Sequence, residues 1–414
     1  MNVKHQVLVL SGLFSVAASA AAPVVSNVKV TSDDGLVVKV SYDLDKDAIV
    51  TVGLSVDGVA LADDKYGSMV GDSFKPVKSG TGKIVKWLPY KEGYAIGTSL
   101  SNVMARVTAW DYDAPPPIMV ATLDENPGYV RFYPTVGRLP GGGLTSDVYK
   151  STRMVFRKIP AAGVTWLMGT PLGEIDSSKT AQINNEYPHD VTFSADYYMA
   201  VYECTRAQWK CVTGEDVCTE ENRYCPMAAK KISQIRGEYS WVKQPTMAGG
   251  FIGAMRTRTG KVVSFDLPTD AQWEYACRAG TGTALPDGSN ERNSKICWFP
   301  GNSGDRAHPV GQLQANNWGL YDMIGNVRER VLGHYTAPLN KAETDPKHYT
   351  NENTADDWTY GVERGGSYSS QWDWDFNGTF LQRSAFRCRT QQNLTNADVG
   401  FRMAAPAVYA PSAE

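Results

Sequence analysis

From Val24 to about Thr122, apolar and polar residues alternate with a period of two. Leu36, Val38, Val40 and Tyr42 interleave with Val37, Lys39, Ser41 and Asp43. Val50, Val52, Leu54 and Val56 interleave with Thr51, Gly53, Ser55 and Asp57, and Val103, Ala105, Val107 and Ala109 form a third series. Successive side chains of a strand point to opposite faces, so this alternation predicts half-buried strands. Turn clusters separate the runs: Ser32-Asp33-Asp34-Gly35, Asp57-Gly58 and Ser79-Gly80-Thr81-Gly82. Such spacing predicts a small β-sandwich over residues 23–122, with Tyr42 and Trp87 in its core. Pro115-Pro116-Pro117 interrupts the last strand region. Residues 123–149, with Leu139-Pro140-Gly141-Gly142-Gly143, read as a connector.

From Lys150 onward the periodicity is poor and Gly, Asn, Trp and Tyr are frequent. Two helices stand out, one over Thr205 to Thr213 and one opening at Pro268-Thr269-Asp270. Thr269 and Gln272 form a T-x-x-Q capping box, and Gly280 is placed to stop the second helix. Trp273, Ala276 and Cys277 share a face, which points Cys277 inward. The 42% hydrophobic and 21% charged content excludes a disordered or coiled-coil chain. Lys+Arg of 41 against Asp+Glu of 44 leaves a net charge of -3, so nucleic acid and anionic membrane surfaces are not expected partners. No apolar run after the N-terminus is long enough to span a membrane.

The chain opens with Lys4 and His5, an apolar run from Val7 to Ala17, and the small-residue cluster Ala18-Ser19-Ala20-Ala21-Ala22-Pro23. This is the pattern of a cleaved signal peptide, assigned to residues 1–22, and it implies a secreted or periplasmic protein. Seven cysteines follow, all after residue 200: Cys204, Cys211, Cys218, Cys225, Cys277, Cys297 and Cys388. Outside the cytoplasm disulfides are expected, and the odd count leaves at least one thiol over. No C-x-x-C or zinc-spaced His pair occurs.

Several segments then carry a resemblance by their order. They are Met154-Val155-Phe156, Met168-Gly169-Thr170, Glu186-Tyr187-Pro188-His189, and Tyr202-Glu203-Cys204-Thr205 with Trp209. Leu267-Pro268-Thr269 with Trp273-Glu274-Tyr275 follows, then Gly319-Leu320-Tyr321-Asp322-Met323-Ile324-Gly325-Asn326-Val327. Arg364-Gly365-Gly366-Ser367-Tyr368 and Gly400-Phe401-Arg402 close the series. Together, over residues 150–408, they resemble the sulfatase-modifying factor family, whose founding activity is the formylglycine-generating enzyme. The implied architecture has two domains and a tail at 409–414. An all-β immunoglobulin/fibronectin-like sandwich precedes an α+β, C-type-lectin-related domain with little regular secondary structure.

The resemblance also implies chemistry. The family's oxidase holds copper with two cysteines, and Cu(I) prefers such soft thiolates. Those positions here are Ser370 and Asp375, so copper is not expected and no catalytic residue is assigned. The family's aromatic pair in this groove is replaced by Arg328 and Arg330. A structural calcium site is implied at the side chains of Asp322 and Glu329 and the carbonyls of Gly325 and Val327, a hard-oxygen set suited to that ion. A disulfide between Cys277 and Cys388 is implied too. The pairing of Cys204, Cys211, Cys218, Cys225 and Cys297 is not readable from sequence.

Trp372 and Trp374 alternate with Asp373 and Asp375, and two readings stand: a ligand-facing aromatic surface, or core packing. Arg383 and Arg387 either line the same groove or pair with carboxylates, and Ser367 is either a groove residue or a turn residue. The expected function is an exported, non-catalytic binder of a peptide, protein or glycan ligand. The alternatives are a formylglycine-generating oxidase or another chemistry on the same fold.

Overall fold

A computed structural model describes residues 21–33, 36–98, 100, 102–125, 128–170, 186–237, 249–291, 293–335, 341–346, 360–370, 381–391 and 394–411. The expected leader at 1–22 lies almost wholly outside these residues.

The N-terminal unit holds eight strands: β1 (Val25–Asp33), β2 (Val37–Leu44), β3 (Ala48–Val56), β4 (Val59–Ala60), β5 (Val70–Gly71), β6 (Lys75–Val77), β7 (Gly80–Trp87) and β8 (Met104–Trp110). They form one sheet ordered β1-β2-β7-β5 and a second ordered β4-β3-β6, with β8 on the other side of β3. The alternation holds where it was clearest: Val38, Val40, Tyr42 and Leu44 are buried, and Lys39 faces water. Trp87 and Tyr42 sit in the core, and their polar tips donate to the carbonyls of Lys65 (2.8 Å) and Asp72 (2.6 Å).

The rest of the chain adds β9 (Ile118–Thr122), β10 (Val130–Tyr133), β11 (Arg153–Ile159), β12 (Thr165–Met168), β13 (His189–Thr192), β14 (Tyr197–Ala200), β15 (Arg328–His334), β16 (Glu343–Thr344), β17 (Tyr360–Arg364), β18 (Arg387–Gln391), β19 (Val399–Gly400) and β20 (Ala404–Pro406). Three sheets result, ordered β10-β9-β11-β14-β20, β12-β13-β16 and β18-β17-β15-β19. β9 pairs along its length with β11, and β10, within residues 123–149, pairs with β9. The core of the sandwich runs on into this part: Ile118, Val120, Tyr149, Val155, Val201, Tyr202 and Val310 cluster with Trp87 and Tyr42.

Helices are few and short: α1 (Arg206–Thr213), α2 (Ile232–Arg236), α3 (Phe251–Arg258) and α4 (Asp270–Arg278). Both of the clear ones open on reciprocal caps, Thr205 with Gln208 and Thr269 with Gln272, each satisfying two otherwise orphaned N–H groups. α4 ends at Arg278, two residues before the expected glycine, with Ala279 itself in the left-handed conformation (φ 46°) and Gly280 following at φ 90°. Cys277 is fully buried, as its helical face requires. The expected class therefore holds: an all-β region followed by a domain of low helix content. Among the described residues, no helix is long and apolar enough to cross a membrane.

Candidate functional site

The sheet β18-β17-β15-β19 separates two sets of charges by simple strand alternation. Arg328 and Arg330 project from one face of β15, and Glu329 from the other. Register carries the division across the sheet, pairing Glu329 with Arg364, Arg364 with Arg387, Arg330 with Glu363, and Glu363 with Cys388.

On the inner face every charge found is matched. Both Glu329 oxygens accept from Arg402 (2.6–2.9 Å), and Oε2 also accepts from the indole of Trp273 (2.7 Å). Arg402 extends further to the carbonyls of Ala200, Val201, Tyr321 and Asp322. Arg364 binds Asp270 (2.5 Å) and Glu274 (2.6 Å), and Glu274 also takes Arg278 (2.9 Å). Burial of ions is tolerable only with such pairing. Nearby, burial raises the Asp322 carboxyl to about 6, although a hydrogen bond from the Gly311 N–H opposes the shift. Glu203 is pushed up more strongly, by burial and then by the charges of Asp322 and Glu329.

The outer face carries a polar cluster. Arg328 bridges Glu363 (3.0 Å) and Asp398 (2.9 Å), and its Nη1 lies 3.4 Å from the Cys388 sulfur. Burial works against the arginine's charge, yet Glu363 and Asp398 together hold its pKa above the usual range. Asp398 is held low: burial opposes its ionisation, and Arg328 overrides it. Burial also raises the Cys388 thiol, partly offset by Arg328. Ser367 and Ser369 present their hydroxyls to Asp398 at 2.7 and 2.9 Å. The Ser370 hydroxyl lies 2.8 Å from that of Ser367 and accepts the Ser367 N–H. Half-buried Tyr368 and Ser369 form the rim, continued by Trp298 and His308, whose rings stack at 3.8 Å. Asn326 ties the rim together, bonding the backbone of Trp298, His308 and Tyr368. Gly325 must be glycine, since at φ 80° an added Cβ would strike the Trp298 backbone and lie 2.7 Å from the Cys297 sulfur.

The structure thus gathers Ser367, Ser370 and Arg328 in one polar cluster, joined through Asp398. Arg383 and Arg387 take the second of their two readings: Arg383 pairs with Glu186 (2.7 Å) and Arg387 with Asp270 (2.8 Å), both buried. Trp372, Trp374 and Asp375 lie outside the described residues.

Of the implied calcium set, Glu329 already has other partners. Glu329 accepts from Arg402 and Trp273, and the same guanidinium donates to the carbonyls of Tyr321 and Asp322. The donors present therefore do not fit a calcium ion at Glu329. Among the described residues, no three His, Cys, Asp or Glu side chains are placed to hold a metal.

The implied Cys277–Cys388 disulfide is corrected by the structure. No disulfide links any of the seven cysteines, all of which lie within the described residues. The Cys277 sulfur faces the Ser384 hydroxyl at 3.5 Å, while Cys388, four residues further on, belongs to the outer face beside Arg328. The family resemblance named Cys388, whereas the residue facing Cys277 is Ser384, four residues earlier. Burial, eased by Ser384, pushes the Cys277 thiol up to about 12.

Sequence reasoning missed Glu363, Asp398, Glu186 and Arg402 as partners of the candidate residues. Alternation along β15 was the one available signal, since it separates Glu329 from the two arginines.

Comparison with known proteins matches residues 162–407 to the family described as sulfatase-modifying factor enzyme 1-like domain. The chain is 31% identical over 153 residues to the formylglycine-generating enzyme of Mus musculus, an alignment covering 34% of this chain and 38% of that enzyme. It is 27% identical over 191 residues to the chaperone protein LppX of Paenibacillus barcinonensis, covering 37% and 68% respectively. A solved structure, Treponema denticola variable protein 1, overlays with a TM-score of 0.47 at 18% identity, covering 62% of this chain and 96% of that one. The matched region takes in more than half of the chain, and the protein belongs to the sulfatase-modifying factor enzyme 1-like family.

Proposed function

We propose that this protein is an exported binder that seats a polar ligand, a peptide or glycan, at the polar cluster around Arg328, and that it does not oxidise cysteine with copper. The observation that carries this reading is the Ser367–Ser370 hydroxyl pair at 2.8 Å, with Ser370 at the position where the family resemblance implies a copper-binding cysteine. Cu(I) selects soft sulfur donors, and a serine hydroxyl keeps its proton near neutral pH. Cys388 is the thiol that touches this cluster among the described residues; burial raises its pKa, which disfavours the thiolate a metal would need. The cluster instead offers hydroxyls, the Asp398 carboxylate and the Arg328 guanidinium, flanked by half-buried Trp298, His308 and Tyr368. Such a mixture of aromatic surface and directed polar groups suits ligand recognition.

The test uses full-length protein loaded with Cu(I) and a sulfatase-type peptide containing cysteine. Oxygen consumption should equal that of free copper, and the peptide should keep its cysteine mass. Titration with peptide and glycan panels should quench tryptophan fluorescence, and Arg328→Leu should weaken that response. Conversion of the peptide cysteine to an aldehyde would overturn the reading.

A further inference from the structure

Oxidation chemistry points away from this cluster, to the segment that follows α1. Residues 214–225 fold back over this helix and are tied to it. Trp209 donates to Glu215 (2.7 Å), Lys210 pairs with Asp216 (2.6 Å), Arg206 reaches the Val217 carbonyl (3.1 Å), and the Ala207 N–H donates to the Arg223 carbonyl (2.9 Å). The return brings Cys218 back beside the helix. Cys211 and Cys218 line one open cavity of about 220 Å³, together with Ala207, Lys210 and Arg223. Both thiols are partly exposed.

The other five cysteines are poor competitors. Cys204, Cys277 and Cys297 are fully buried, and Cys225 is nearly so, with its sulfur on the Ala307 carbonyl. Cys388 stands apart, beside Arg328. Lys210 and Arg223 lie within electrostatic range of Cys218 and line the same cavity.

We propose that Cys211 and Cys218 are a redox modification site, closing to a disulfide that staples the returning segment to α1. The co-reactant is a disulfide, either a small molecule or an oxidoreductase. The Cys218 thiolate attacks one of its sulfurs and expels the first thiolate, giving a mixed disulfide. Cys211, having released its proton to water, attacks the Cys218 sulfur and expels the second. Two protein thiols are oxidised, and one external disulfide is reduced to two thiols.

The experiment takes the full-length protein, fully reduced and then equilibrated with oxidised glutathione, and blocks remaining thiols before tryptic digestion without reductant. Peptide 211–223 contains both cysteines and no other. It should appear two hydrogens lighter and unalkylated, and regain two alkyl groups when reductant is added first. Cys225→Ser should leave this result intact, while Cys218→Ser should abolish it. Persistent glutathione on Cys218, linkage of peptide 211–223 to the Cys225 peptide, or full alkylation of both thiols after equilibration would each overturn the proposal.

Discussion

The two faces of the β15–β17–β18 sheet carry similar residues and do different work. Inward, Glu329, Arg364 and Arg402 lie 0–1% exposed and are matched ion to ion. Outward, Arg328 keeps 18% of its side chain in contact with solvent and is shared between Glu363 and Asp398, with serine hydroxyls completing the set. The inner face is a stabilising network in which each charge answers another. The outer one leaves Arg328 and Ser369 partly open to solvent. One residue of register decides which role an arginine plays.

This contrast can be broken by measurement. Arg402→Leu leaves Glu329 buried and without its cation, and should cost about 3–5 kcal/mol in chemical denaturation. Arg328→Leu should cost less, about 1–3 kcal/mol, because its site reaches water. Equal losses would show that the two faces are energetically alike.

Acid response should differ in sign. Asp322, raised to about 6, favours the folded state fully below the unfolded carboxylate pKa, and that contribution is lost as pH rises through about 6. It amounts to about 3 kcal/mol at most, and Asp322→Asn should flatten the stability profile between about pH 4 and 6. Asp398, held low, contributes above the unfolded carboxylate pKa and loses that contribution as pH falls through its folded value. Asp398→Asn should therefore remove part of the acid-side loss, and profiles that move together would refute the distinction.

Ser370→Ala removes its bonds to Ser367 and should cost about 1 kcal/mol in the same denaturation assay. Smallest of all, calcium or a chelator should leave the thermal midpoint unchanged, because Arg402 already neutralises Glu329. A calcium-dependent rise would mean that Glu329 leaves its arginine.

The parts of this picture legible in the sequence are local ones. Period-two runs located the sandwich, and the spacing of Thr269 and Gln272 located the start of α4, because both depend on neighbours a few residues away. The site residues Ser367, Ser370 and Arg328 were found through motif order. Their partners were not, because Asp398 and Glu363 are 31 and 35 residues from Ser367 and Arg328 in sequence and meet them only through strand register. Arg383 shows the same limit: its partner Glu186 is 197 residues away. The Cys277–Cys388 expectation failed for a related reason. It rested on which residues occur near a motif, while the outcome was set by Ser384, not Cys388, facing Cys277.

The continuous core between the two regions bears on where this protein may be cut. Starting a truncated chain at residue 162, where the family match begins, would discard β9, β10 and β11 and strip three of five strands from one sheet. It would also bare Val201, Tyr202 and Val310, which now pack in the same cluster as Trp87. A soluble, foldable fragment therefore has to reach back past the homologous segment, and the sandwich is better regarded as an intramolecular scaffold than as a detachable accessory.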